Sequence, residues 1–200
     1  MLRPALLTLL LIACVAALSS CSLHSSSQPL APLDQQVVDT LRPGLLPRYF
    51  GDFNGRNVNE LPDDDSTRAK SWLGEPIPQL HNRFGVGEVF GSGQRQTIGV
   101  RMRGFLYFPE PGTYTFQALS NDGVVISIGD TVVVDDPVQH SNQLSAKLTL
   151  EIPAAGCYPI RVDYFQRKGT AALELFWQPP GGTAMTIIPA GYYGHLPDSQ

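Results

Sequence analysis

The 200-residue chain is poor in cysteine, with single residues at positions 14, 21 and 157. Cys14 lies inside an apolar leader and Cys21 at its end, so Cys157 has no partner left and an intramolecular disulfide framework is excluded. Cys157 reads as a small buried hydrophobe; a reactive thiol needs an activating neighbour, and no histidine lies near it in sequence. Charge is sparse too. Asp, Glu, Lys and Arg make up 16% of the chain with no basic block anywhere, which argues against a nucleic-acid partner. Catalytic signatures are missing as well. No Gly-x-Ser-x-Gly elbow occurs, and the one Gly91-Ser92-Gly93 reads as loop. His24, His81, His140 and His195 lack close metal-binding spacing. Glu151 and Glu174 fall at solvent-facing strand positions, poor ground for the tuned carboxyl pair of a glycoside hydrolase. The chain is therefore expected not to be an enzyme.

What is present begins with the leader. A single cation, Arg3, precedes a stretch from Leu6 to Leu18 without any charge, followed by Ser19-Ser20-Cys21. A short basic head, an apolar centre and small residues before a cleavage point are the layout of a bacterial secretory signal. The apolar run falls short of the ~20 residues of a spanning helix. Leu18-Ser19-Ser20-Cys21 resembles the lipobox of bacterial lipoproteins, in which the cysteine is acylated and becomes the new N-terminus. The plainer reading is an ordinary cleaved signal with an incidental cysteine. Acylation at Cys21 implies a palmitate-type anchor and the lipid bilayer as a partner, since each buried methylene adds ~0.8 kcal/mol and more than one chain anchors stably. Ser22, rather than an aspartate, after the cysteine favours the outer membrane by resemblance to the enterobacterial sorting rule. Loss of Arg3 with residues 1–20 moves the formal net charge from −4 to −5.

Residues 21–43 are Ser-, Gln- and Pro-rich and read as a lipidated flexible tether, with one domain over 44–196. Asp63-Asp64-Asp65 suits the first turn of a short helix or a solvated acidic turn, with a cation site as the sharper alternative. Beyond Thr97 the residues alternate. Ile98, Val100 and Met102 take turns with Gly99, Arg101 and Arg103. Tyr114, Phe116 and Ala118 oppose Thr113, Thr115 and Gln117, and Val124, Ile126 and Ile128 continue the pattern. Leu148 to Ile152, Tyr158 to Tyr164 and Leu173 to Trp177 repeat it. Period two with one greasy and one wet face predicts antiparallel strands, and Gly129-Asp130 predicts a hairpin connection. Nothing after the leader keeps a helical period. The fold class is all-β, an antiparallel, jelly-roll-like β-sandwich, with Trp177 in its core and Trp72 packed under a loop or stacked on a sugar.

Gly112-Thr113-Tyr114-Thr115-Phe116, Ser120-Asn121-Asp122-Gly123-Val124 and Ile128-Gly129-Asp130 resemble the centre of the protective-antigen-type domain. Tyr158-Pro159-Ile160-Arg161-Val162-Asp163-Tyr164-Phe165 and Leu173-Glu174-Leu175-Phe176-Trp177 resemble its closing strands, so that the likeness covers roughly residues 44–193. That module recurs in flocculins, fungal epithelial adhesins and bacterial surface proteins. The resemblance implies, in its adhesin branch, calcium-dependent glycan binding. There two adjacent aspartates joined by a cis peptide hold calcium, and a loop after the late long strand completes the site. Asn121 and Asp122 stand at the matching positions as metal ligands, and Gln166, Arg167, Lys168 and Gly169 form the matching loop, with Gln166 and Lys168 as further ligand-binding candidates. Asn121 removes one formal charge, and two cations sit in the loop, both unfavourable to calcium. On residue chemistry alone, Asn121-Asp122-Gly123 is equally a tight turn. Asp135-Asp136-Pro137 with His140 is a second acidic loop, read as turn chemistry.

Two readings of function follow. One is a surface lipoprotein carrying a non-catalytic carbohydrate-binding module, calcium-assisted, for a cell-envelope or surface glycan. The other is a structural or protein-interaction module of an envelope assembly that binds no glycan. The anchor is testable in isolation: Cys21→Ser should abolish incorporation of labelled palmitate and release the protein from the membrane fraction, and a variant that still sediments with membranes refutes the anchor.

Overall fold

A computed structural model describes residues 30–64 and 70–197; the leader, Cys21 and His24 lie outside them. The alternation read from the sequence is realised as fourteen strands: β1 (Arg42–Pro43), β2 (Leu46–Phe50), β3 (Ser71–Leu73), β4 (His81–Gly85), β5 (Ile98–Phe108), β6 (Gly112–Asn121), β7 (Val124–Ile128), β8 (Thr131–Asp136), β9 (Gln143–Leu144), β10 (Leu148–Ile152), β11 (Gly156–Gln166), β12 (Ala171–Gln178), β13 (Thr186–Ile187) and β14 (Tyr193–His195). Among the described residues the helix content is one short α1 (Gln35–Val38) and two 3-10 turns, and none of these helices is long and apolar enough to cross a membrane.

The strands form two antiparallel sheets. The first runs β1-β14-β5-β11-β7-β8, with β2 also paired to β5 and β3 to β2; the second runs β10-β6-β12-β13, with β4 on β12 and β9 on β6. Inner-face residues of both sheets meet in one core. Ile98, Val100, Met102, Tyr114, Phe116, Ile126, Val162, Leu173 and Leu175 are buried in it, and Trp177 joins them. Phe108 sits amid aromatic rings, with centroids 4.8 Å from Tyr114, 5.5 Å from Tyr158 and 5.9 Å from Trp177. The Tyr114 and Tyr158 contacts are edge-to-face and that with Trp177 is tilted, and all three add to the burial of large apolar surface. Trp72 lies partly buried on β3 with its ring 5.6 Å from Tyr49, packed against this core. Cys157 is buried and unpaired. A smaller cluster of Phe50, Phe53, Val58, Leu61 and Phe165 caps the outer face of the first sheet near one end.

Three expectations need correction. Residues 30–43 are not tether but part of the fold. The Leu33 amide donates to the Cys157 carbonyl (2.8 Å), Leu30 packs on the core and β1 pairs with β14, because apolar side chains inside the Pro-rich stretch find the sheet edge. Asp64 is no merely solvated acid of a turn: it is drawn into ion pairs with Arg101 and Arg103, while Asp65 lies outside the described residues. Glu174 holds an outward strand position yet is only 3% exposed. His81 and Arg83 of the neighbouring β4 cover it, Arg83 Nη2 donating to its carboxylate at 2.7 Å.

The chain enters the sandwich at one end. Leu30 lies against the β7–β8 connection, where a Cβ at Gly129 would sit 2.8 Å from its Cδ1, and Pro32 lies against Gly156 at the start of β11. Truncating the buried Phe108 to alanine should cost about 3–5 kcal/mol and lower Tm on the order of 10 °C. Val86→Ala, at a site 70% exposed, should stay within about 0.5 kcal/mol of the parent in the same thermal melt.

Candidate functional site

The other end of the sandwich gathers the loops. Asn121 closes β6 in the second sheet and Val124 opens β7 in the first. Asp122 and Gly123 therefore carry the chain between layers. Gly123 is demanded by space: a Cβ there would lie 2.5 Å from the Pro137 carbonyl oxygen and 2.9 Å from Phe165 Cε1. The Asn121–Asp122 peptide is cis, the arrangement that the resemblance implied for the two metal-holding positions. Main-chain bonds from Asp122 N–H to Phe165 O (3.1 Å) and from Phe165 N–H to Gly123 O (3.2 Å) tie the crossover to β11. The Tyr164 hydroxyl donates to the Asn121 carbonyl at 2.6 Å, and burial with Asp122 alongside holds that phenol well above its ordinary pKa.

Both side chains of the pair are buried and fixed. Asn121 Nδ2 donates to Asn142 Oδ1 (2.9 Å) and Thr170 Oγ1 (3.1 Å), which leaves Asn121 Oδ1 without a donor among the described residues. Asp122 is 2% exposed and its Oδ2 accepts the Arg167 backbone N–H at 2.7 Å. Burial raises its pKa, offset in part by that N–H, by His140 and by the Lys168 backbone N–H. His140 Nε2 stands 3.1 Å from Asp136 Oδ2, within ion-pair range but out of hydrogen-bond alignment.

The loop residues divide. Lys168 is exposed at the rim, as a ligand contact requires. Gln166 is not: it ends β11 fully buried, facing inward as Tyr164 does, and neither amide atom has a hydrogen-bond partner among the described residues. It cannot touch a ligand at the surface, and an unsatisfied buried amide costs about 1–3 kcal/mol unless water or an ion meets it. Asn142 and Thr170, which aim Asn121, had no signal in the sequence because both lie on irregular connections.

Calcium takes six to eight oxygen ligands, several of them anionic in tight sites. This rim supplies one carboxylate, Asp122, and one free amide oxygen, Asn121 Oδ1, and one carboxylate oxygen is already taken by a backbone N–H. No group of three or more His, Cys, Asp or Glu side chains suited to a metal occurs among the described residues. The donor set makes up only part of a calcium shell and leaves the rest to other oxygens, with the Gln166 amide as an orphaned polar group nearby. It equally fits sugar hydroxyls directly, since Asn121 Oδ1 and Asp122 accept, and Lys168 donates.

Comparison with known proteins places this geometry. The sequence profile of the PA14 domain matches residues 41–191. The anti-sigma-I factor RsgI3 of Acetivibrio thermocellus is 26% identical over 146 residues, covering 73% of this chain; the chain spans 20% of that protein's length. Among solved structures, the PA14 domain of the MpAFP antifreeze protein superposes with a TM-score of 0.64 at 19% identity over 84% of this chain and 98% of that one. The epithelial adhesin 9 A domain of Candida glabrata, solved in complex with Galb1-4GlcNAc, gives 0.61 at 12% identity over 85% and 95%.

A carboxyl whose folded pKa is raised contributes stability that is present at low pH and lost as pH climbs through the folded value. Relative to Asp122→Asn, the parent protein should therefore lose stability as pH rises from the ordinary aspartate range upward. Thermal melts of both proteins across that window check the sign, and a difference that is flat or grows more favourable with pH would contradict the assignment.

Proposed function

The chain belongs to the PA14 domain family, and from that membership we propose that it is a non-catalytic carbohydrate-binding module held at the bacterial cell envelope through an acylated Cys21. The observation that carries this reading is the pairing, at one rim, of the free Asn121 Oδ1 with the buried Asp122 carboxylate. A binding site that must discriminate sugar hydroxyls needs fixed acceptors, because a preformed geometry loses little entropy when the ligand arrives. Asn142 and Thr170 fix one acceptor and the Arg167 backbone fixes the other. The solved adhesin domain bound to Galb1-4GlcNAc supports a glycan as the ligand class.

Calcium, when bound, supplies a hard cation that vicinal hydroxyls complete, and Asn121 and Asp122 are the residues that would hold it. The chain's own contribution is to orient the two acceptors, to shield Asp122 from water, and to place Lys168 where it donates to a ligand oxygen. The basic loop lowers the charge benefit of the metal, so the proposed module depends on calcium less than a site with two aspartates would.

Glycan-array and calorimetric binding of the chain from Ser22 onward, with calcium and with chelator, tests the reading. Binding that falls at least tenfold in Asp122→Ala is expected, with a smaller loss on chelation. Addition of calcium should also pull the Asp122 carboxyl titration, followed by NMR, towards lower pH. No saccharide bound under either condition, together with a protein captured as partner, would overturn the glycan reading in favour of an envelope-assembly module.

A further inference from the structure

The outer face of the first sheet carries a second feature, unrelated to the rim. In the β2-β5-β11 register Arg48 stands directly opposite Arg101, and Arg103 directly opposite Arg161. Like charges facing each other across strands are destabilising, so two such pairs side by side are not what sheet stability selects. The four arginines line one trough of about 760 Å³, floored and edged by Leu46, Phe105 and Val132. Phe50 and its cluster close the outer face beyond Arg101, whose guanidinium lies 5.3 Å from the Phe50 ring centre.

The arginines are held ready by two carboxylates. Asp163, on β11, accepts from Arg101 Nε (2.7 Å) with one oxygen and from Arg161 Nε (2.8 Å) with the other, to which Arg161 Nη2 also lies in ion-pair range at 2.7 Å. Asp64 comes from outside the sheet. Its Oδ1 takes Arg101 Nη1 at 2.7 Å and its Oδ2 takes Arg103 Nη2, so that a single carboxylate bridges two guanidinium groups. Burial alone would raise the Asp64 pKa, yet Arg101, Arg103 and Arg48 together keep it below its ordinary value. Arg103 and Arg161 remain 56% and 43% exposed, and Arg48 makes no ion pair among the described residues. Asp130, on the β7–β8 connection, is the acidic side chain at the far edge of the trough.

We propose that this trough is a binding site for a carboxylate-bearing saccharide, with the Asp64 carboxylate occupying in the free protein the place that the ligand's carboxylate takes. The planar fork of arginine matches a carboxylate with two parallel donors, which an ammonium does not. The trough has the volume and mixed polar and apolar lining of a small-ligand site, and Leu46, Phe105 and Val132 offer apolar surface to the C–H faces of a sugar ring. A recessed trough with three carboxylates near its four arginines does not suit a flat anionic bilayer. Because Asp64 sits on a connection rather than on the sheet, it can leave without breaking a strand pair.

Titration calorimetry of the purified protein with a mannuronate trimer, with neutral mannotriose and with phosphatidylglycerol vesicles tests the site. The charged trimer should bind at least tenfold more tightly than the neutral one, and more weakly as salt is raised. Arg161→Ala and Arg103→Lys, both at half-exposed positions, should each weaken it several-fold with unchanged thermal melts. Asp64→Asn should strengthen it, and Asp122→Ala should leave it unchanged, which separates this site from the rim. Equal binding of both trimers, indifference to the arginine variants, or binding to vesicles without binding to the trimer would each overturn the proposal.

Discussion

The eleven-residue antiparallel pairing of Ile98–Phe108 with Gly156–Gln166 is the constraint on which the rest of the molecule depends. Its inner face supplies Val100, Met102, Phe108, Tyr158, Val162 and Tyr164 to the core between the sheets. Its outer face sets Arg101, Arg103, Arg161 and Asp163 in one register, so the arginine trough follows from the alternation that builds the core. Its rim end delivers the Phe165 carbonyl and the Arg167 amide to Asp122. A one-residue slip in this pair would turn every one of these side chains to the opposite face. Stability, rim geometry and surface charge are thus set by one register.

At the rim, charge and hydrogen bonding pull in different directions. Asp122 is buried, which disfavours its ionised form, and the protein answers with backbone N–H donors, a nearby histidine and the more distant charge of Arg167. Asn121 in the other half of the pair halves the formal negative charge that two aspartates would present. The outcome is a pair of held acceptors with one formal negative charge between them. Glu174 shows the opposite solution in the same molecule: His81 and Arg83 lie directly on a buried carboxylate and close it off from any ligand.

The sandwich was legible because period-two alternation over β5, β6, β7, β11 and β12 has no other economical explanation, and the sequence likeness to the protective-antigen-type module pointed to Asn121 and Asp122. Legibility failed where an outward strand face is itself covered. Arg101 and Glu174 alternate as wet residues should, yet Asp64 with the Pro62 carbonyl covers one and β4 the other. Such cover comes from 37 and 91 residues away, beyond any local pattern. Likewise Asn142 and Thr170 reach Asn121 across 21 and 49 residues. The Pro- and Gln-rich composition of 30–43 hid a strap whose few apolar side chains dock on the sheet edge. Gln166 alternates inward with Tyr164 at a core position, and its polarity beside the Arg167–Gly169 loop is what makes it resemble a loop contact.

The docking of Leu30 beside Gly129 and of Pro32 beside Gly156 gives the domain a direction. Both contacts sit at the end where β7 finishes and β11 starts, whereas Asn121 and Asp122 crown the end where β7 starts and β11 finishes. Eleven strand residues separate the two ends by roughly 35 Å. Any attachment upstream of Leu30 thus grips the base of the sandwich, and an anchor at Cys21 could stand off by no more than about 30 Å of fully stretched chain. An anchor there would hold the module by its foot, like a lamp on a short post, with the Asn121–Asp122 rim turned away from the surface that carries it.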